Sequence, residues 1–530
     1  MATTRRQWTL GCGVGAAAWA TGLVPGQWRE ARAAAEIPVD KLKELAAFAL
    51  ERARKAGASY ADIRLNRYRN QVVAMRSQPD FSSGKLNHVP TVSDSESFGF
   101  GVRVLAAGAW GFSAAQRVTR SEIARAAAEA VEIARANAPL RREPVQLAPV
   151  KAQQGTYRTK VAKDPFTVPL GDKLAFLHDL NAEVKKVAGV FSATAFISQR
   201  SEHRLFASTD GSVLEQHIVQ MAPELTAVAV EHGRKTKTRT YRPHAVCAGY
   251  EAVERARMPE EAHRVAEEAV RHLGAPSVTA GKKDLVLLPT HLALTIHESI
   301  GHSTELDRAL GYEANFAGTS FLTTDKLGKF RVGSDLVNVR GDRTRPESLS
   351  TCGWDDDGVA TMEFPILSKG IFVGYQTIRD QAHLIGAESS TGCCYADSYA
   401  SVPFQRMPNV WLVPSEKAVT LADLVSGVDD GILIDGRGSY SIDQQRYNFQ
   451  FGGDAFWEIK HGKVGPMIAD VAYQSRTPDF WQSCDGLGGV ASWQNVGLNA
   501  DGKGQPQQLN AMSHGCPPAR FRQANVLRTE

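Results

Sequence analysis

No two of the seven cysteines in this 530-residue chain are spaced Cys-x-x-Cys. That absence argues against a zinc knuckle and against a thioredoxin-like redox motif. After the first 35 residues no run of eighteen apolar residues occurs, so nothing later reads as a membrane-spanning helix. A charge excess is missing too. Four of the 61 basic residues and one of the 57 acidic ones fall in residues 1–35, which leaves 57 against 56. Such a balance is a poor match for a nucleic-acid surface, which carries a clear basic excess.

What is present begins with Thr4-Arg5-Arg6-Gln7-Trp8-Thr9-Leu10, a mildly apolar stretch from Gly11 to Val24, and small residues at Ala33 to Ala35. This is the pattern of a twin-arginine export signal over residues 1–35. It predicts a periplasmic or extracellular protein, exported folded and free of the membrane after cleavage. The six later cysteines then leave room for one or two disulfides, although the adjacent Cys393 and Cys394 read better as free thiols.

The rest is long enough for two or three domains. Residues 36–278 read as helix plus meander, twice over: helices over Val39–Ala56, from Thr119-Arg120-Ser121-Glu122 to Ala136, and from Leu170, with strands between. The basic run Arg234 to Arg239 reads as a solvated loop or hairpin tip. Residues 279–530 hold one apolar helix and then mostly strands, with turn signals at Asp357-Gly358, Lys369-Gly370, Asp430-Gly431 and Asp435-Gly436. The fold class expected is α+β: a layered helix/antiparallel-sheet domain followed by a β-rich domain wrapped around that helix.

The apolar helix carries the chemistry. Strand-like Asp284–Pro289 leads to Thr290 as N-cap, then His291–Ile296, then His297-Glu298-Ser299-Ile300-Gly301-His302. Imidazole suits a borderline ion such as zinc, and a neighbouring carboxylate can take a proton from metal-bound water. The histidines are five apart, not four. On an ideal helix this leaves them roughly 140° apart, against about 40° for four steps. Two ligands on one ion then require a π-bulge or a helix that breaks between them, and Gly301 is where a break is cheapest.

His-Glu-x-x-x-His, followed by Glu305 and Gly318-Thr319-Ser320-Phe321, resembles the signature of the TldD/PmbA family of zinc metallopeptidases, in its TldD-like, motif-bearing branch. The likeness extends to Tyr60–Arg64, Gly101–Val104 with Gly108–Phe112, Asp357–Val359, Lys369-Gly370 through Gly374-Tyr375, and Pro403–Asn409. It implies Zn2+ held by His297, His302 and a cysteine ahead of a Gly-x-Gly-Gln-Pro run, here Gly502–Pro506. Cys484 is the first candidate for that cysteine and Cys516 its rival; Glu305 is a weaker third. Glu298 would be the general base. Arg406, Tyr375 and His514 are candidates for stabilising an oxyanion. The function implied is hydrolysis of unfolded or short peptides inside an enclosed homodimer or heterodimer with a TldD/PmbA-family subunit. A metal-containing assembly subunit with little activity is the alternative. Export and neutral charge argue against a role on DNA.

Overall fold

A computed structural model describes residues 37–80, 82–231, 235–243 and 245–529. The leader expected over residues 1–35 lies outside them.

The first half is built on one seven-stranded sheet. Helix α1 (Val39–Ala56) leads into β1 (Tyr60–Pro79), β2 (Leu86–Ala106), β3 (Ala109–Ala115) and α2 (Arg120–Asn137). After β4 (Gln154–Arg158) the theme returns as α3 (Leu170–Lys185), β5 (Val190–Ser208), β6 (Val213–Glu231), β7 (Lys235–Tyr241) and α4 (Met258–Leu273). The strand order is β3-β2-β1-β5-β6-β4, with β7 also on β6, so the two meanders join along β1 and β5. Each covers one face with its own helix pair. Leu42, Leu45, Ile123 and Ala127 pack on Ile63 and Leu205. Leu177, Leu180, Val265 and Ala269 pack on Ala195 and Leu225. Thr119 caps α2 by accepting from the Glu122 N–H, but Glu122 turns to Arg125 instead of closing the box.

The opposite sheet face is polar and meets the second half. Arg103 pairs with Asp62 and with Asp357 at 2.7 Å, and Arg204 pairs with Asp356. All are buried, so each charge depends on its partner. β7 departs from expectation. Lys237 reaches Asp470 at 2.8 Å, and Arg239 is buried against Glu268, Asp435 and Asp454. The alternation of Lys237 and Arg239 points both at carboxylates of other elements, a match the local sequence could not reveal.

The second half centres on β8 (Gly281–Leu287) and α5 (Pro289–Ile296). β8 sits inside a nine-stranded sheet, parallel to β9 (Asp430–Asp435) and antiparallel to β18 (Ala519–Arg528). β10 (Tyr440–Ile442), β11 (Asn448–Phe451) and β14 (Val471–Arg476) extend it beyond β18; β12 (Ala455–Lys460) and β13 (Lys463–Ile468) extend it beyond β9. β15 (Cys484–Leu487) also pairs with β18, while β16 (Gln494–Lys503) and β17 (Gln508–Cys516) form a separate ribbon. α5 is buried all round, as a helix inside a core must be. Leu292, Ile296 and Ile300 join the largest apolar cluster. Its N-cap is Leu288 rather than Thr290, because Pro289 fills the first helical position. The six described cysteines are buried free thiols.

Two buried histidines give this fold an acid limit. Burial pushes His272 and His291 each down to about 4. The folded chain keeps them neutral while the unfolded chain, titrating near 6.5, takes up protons. Stability from this source is therefore complete above about pH 6.5 and is lost as pH falls toward 4, by up to ~3 kcal/mol per group. The urea midpoint should drop clearly between pH 7 and 4.5; an unchanged midpoint would contradict this.

Candidate metal centre

The five-residue histidine spacing is resolved by a π-helical turn over His297–Gly301, in which the His302 N–H donates to the His297 carbonyl. The widened turn brings the two rings to 4.4 Å between centroids with their planes crossing at 68°. Gly301 has ordinary right-handed dihedrals, φ −53° and ψ −60°. Its lack of a side chain matters for space instead: a Cβ there would lie 2.7 Å from Met407 Sδ. Hydroxyls and an amide secure the carbonyls around the turn. Ser303 Oγ donates to Ser299 O, Thr304 Oγ1 to Ile300 O, and Gln376 Nε2 to Gly301 O.

The hydrogen bonds fix which nitrogen of each ring is bare. The Val410 carbonyl only accepts, so His514 Nδ1 donates to it at 3.0 Å. Burial holds His514 well below its usual range, hence neutral, so its Nε2 accepts from His297 Nδ1 at 2.9 Å. His302 Nδ1 lies 2.8 Å from Glu305 Oε2 and 3.0 Å from Arg308 Nη2; the nearer carboxylate takes its proton, while Arg308 is spent on Glu305 and the Ala317 carbonyl. Burial would raise the Glu305 carboxyl, but Arg308 and Lys503 hold it well below the usual range. Both Nε2 lone pairs are therefore free. They face one oxygen, Asp501 Oδ1, at 3.6 Å from His297 and 3.5 Å from His302. Arg406 takes the other oxygen, Oδ2, at 3.1 Å. Burial would push Asp501 up; the two imidazoles hold it well below the carboxylate range.

Two bare imidazole nitrogens and one carboxylate oxygen converge, all buried. This is a three-ligand set that a divalent ion with an open position requires. A second group, His203, Glu215 and His217, differs in kind. Its rings are stacked at 4.0 Å with planes only 13° apart, so their in-plane lone pairs run side by side. Both Nε2 atoms already lie within hydrogen-bond reach of Glu215, at 3.2 and 2.6 Å.

Glu298 follows His297 on the same turn but stands outside the three-residue group, and Cys484 is not brought to it. The Cys484 Sγ, buried on β15, faces the Gly486 carbonyl at 3.9 Å, and burial pushes the thiol up to about 12. Cys516 is outside the group too: its Sγ faces the Pro289 carbonyl, at the far end of α5. The place expected for Cys484 belongs to Asp501, the residue directly before Gly502-Lys503-Gly504-Gln505-Pro506. That run itself sits where the resemblance puts it. Buried Lys503 donates to Glu305 at 3.0 Å and to Asp307 at 2.9 Å, tying the strand of Asp501 to the support of His302. Glu305 acts behind His302, not as a donor in the three-residue group.

Arg446 was not foreseen. It has φ +65°, and its Nη1 donates to Glu298 Oε2 at 2.7 Å. Its Nη2 donates to the Ala317 carbonyl at 3.0 Å, and its Nε is buried with no partner among the described residues. The residues named as oxyanion candidates are engaged elsewhere: Arg406 with Asp501, Tyr375 with the Leu322 carbonyl, His514 with Val410.

The family models and curated relatives that this chain resembles are described as metallopeptidases or metalloproteases. Residues 61–134, 163–274 and 280–528 match the first, central and C-terminal domains described for PmbA/TldA metallopeptidases. A metalloprotease of Methanothermobacter thermautotrophicus is 26% identical over 88% of this chain and 95% of its own length. A zinc metalloprotease TldD homolog of Saccharolobus solfataricus is 23% identical over 81% of this chain and 88% of its own. Among solved structures, TldE of Thermococcus kodakarensis superimposes with a TM-score of 0.66 at 15% identity, over 90% of this chain and 98% of that one. The three domain matches follow one another in order and take in most of the sequence, so the chain belongs to the PmbA/TldD metallopeptidase family.

Proposed function

We propose that the chain is an exported, zinc-dependent peptidase acting on unfolded or short peptides. One observation carries the reading: two imidazole nitrogens, each left bare by its own hydrogen bond, face a carboxylate oxygen, and Glu298, adjacent to His297 on the same turn, is held by Arg446. His297, His302 and Asp501 would hold the ion. The relative described as a zinc metalloprotease supports zinc, and a two-imidazole, one-carboxylate set suits it. When bound, the ion polarises a scissile carbonyl and makes water a stronger acid. Glu298 takes the water proton and passes it to the leaving amine, so no proton is left over. Arg446 fixes the carboxylate for both transfers. The buried chain from His297 through His514 to Val410, and from His302 to Glu305, keeps each ring from turning.

Export is supported by Arg5-Arg6 and the apolar stretch after them. Assembly with a second copy or a PmbA/TldD-family subunit would enclose the site and admit only unfolded chain. A role as an assembly subunit is less favoured, because such a role needs no base at position 298. The test is digestion of an unfolded protein by the purified full-length chain, alone and with a family partner. A chelator should abolish cleavage and added zinc should restore it. Cleavage indifferent to metal removal would refute the reading.

A further inference from the structure

A concavity lies at the opposite end of α5 from the imidazoles. It has a volume of about 680 Å³ and lies between β7, α4, Leu288 to Thr290, the turn after β9, and the start of β16. Arginine dominates its walls: Arg239, Arg242, Arg255, Arg257, Arg264 and Arg437 against Glu261, Glu347 and Asp435. Most of these arginines are spoken for. Arg239 meets three carboxylates, Arg264 pairs with Glu261 and Glu268, and Arg255 pairs with Glu347. Arg257 reaches Glu260, and Arg242 pairs with Glu224 at 2.7 Å.

Arg437 differs. Among the described residues no hydrogen bond or ion pair engages its guanidinium. It is half-buried. Burial lowers it to about 10, and the largest charge acting on it is Arg242, a like charge; Glu224, next in effect, is already bound by Arg242. Two guanidinium groups sharing a partly desolvated cleft repel unless something negative lies between them. The backbone does not let Arg437 turn away freely. Gly436, at φ +70°, donates its N–H to Thr290 Oγ1 at 3.1 Å, and its carbonyl accepts from His291 Nδ1 at 2.9 Å. A Cβ at 436 would lie 2.6 Å from Asp454 Cβ. The turn presenting Arg437 is thus fastened to a buried helix.

We propose that this cleft is an oxyanion-binding site, in which a carboxylate or phosphate group is gripped between Arg437 and Arg242. Guanidinium forks suit such groups because they offer paired, charge-assisted donors. The site is separate from the metal centre and does not depend on the peptidase reading.

The test is calorimetric titration of the full-length chain with inorganic phosphate and, separately, with a short acidic peptide, at constant ionic strength set by chloride. Saturable binding of one of them is expected. A carboxylate ligand is indicated if only the peptide binds, and a phosphate ligand if only phosphate does. Arg437→Gln should weaken binding at least tenfold, while His302→Ala, which would disable the metal centre, should leave it unchanged. Without ligand, Arg437→Gln should melt no lower than the parent, since it removes an uncompensated charge. The proposal is overturned if neither probe saturates, if Arg437→Gln binds as the parent does, or if binding disappears with His302→Ala.

Discussion

Glu298→Gln should retain the metal and lose peptide hydrolysis by about 10²- to 10⁴-fold, the usual worth of a positioned acid–base group. The amide is nearly the same size and can still face Arg446, so the buried pocket stays filled. It cannot take a proton, and the two transfers assigned to Glu298 fail together. The loss should therefore fall on kcat more than on KM. Arg446→Gln should cost less, because it leaves the base in place and removes only the 2.7 Å contact that orients it. Full activity in Glu298→Gln with metal content intact would remove Glu298 from the chemistry.

The second large effect is expected at Asp501. Asp501→Ala should weaken zinc binding by at least about 100-fold, beyond the ~10- to 100-fold typical for loss of a supporting partner. Two changes coincide there. The ion loses its one anionic donor, and buried Arg406 loses the carboxylate it meets at 3.1 Å. Asp501→Cys should keep the metal, since thiolate is a good zinc ligand of smaller reach. Cys484→Ala should bind zinc as the parent does. Equilibrium titration against a chromophoric chelator measures all three. Parental affinity in Asp501→Ala, or loss of affinity in Cys484→Ala, would return the third position to the cysteine.

Much of this centre can be read from the sequence. The five-residue spacing of His297 and His302 demands a widened turn or a break in the helix, and the π turn is the one found. The alternation of helix and meander in the first half is legible because each strand buries one face on its own helices. Other features depend on pairings between distant segments. Asp501 meets the imidazoles because β16 crosses over the end of α5, and its one local sign is its place directly before Gly502–Pro506, where a cysteine was expected. The resemblance implies a cysteine ahead of that run, which favoured Cys484 although its thiol is buried on β15. Arg446 escaped notice for the same reason as Arg239: each is an ordinary charge until a carboxylate from another element closes on it. Gly301 was legible as a special position, but the cause is the Met407 side chain above it, not its dihedral freedom.

The central claim is that one ion is held by two imidazoles and a carboxylate. X-ray absorption at the zinc edge of fully loaded protein tests it directly. The expected spectrum shows nitrogen and oxygen neighbours at about 2.0–2.2 Å, with the multiple scattering of two imidazole rings and no sulfur. A sulfur shell at about 2.3 Å, or the signature of fewer than two imidazoles, would contradict it.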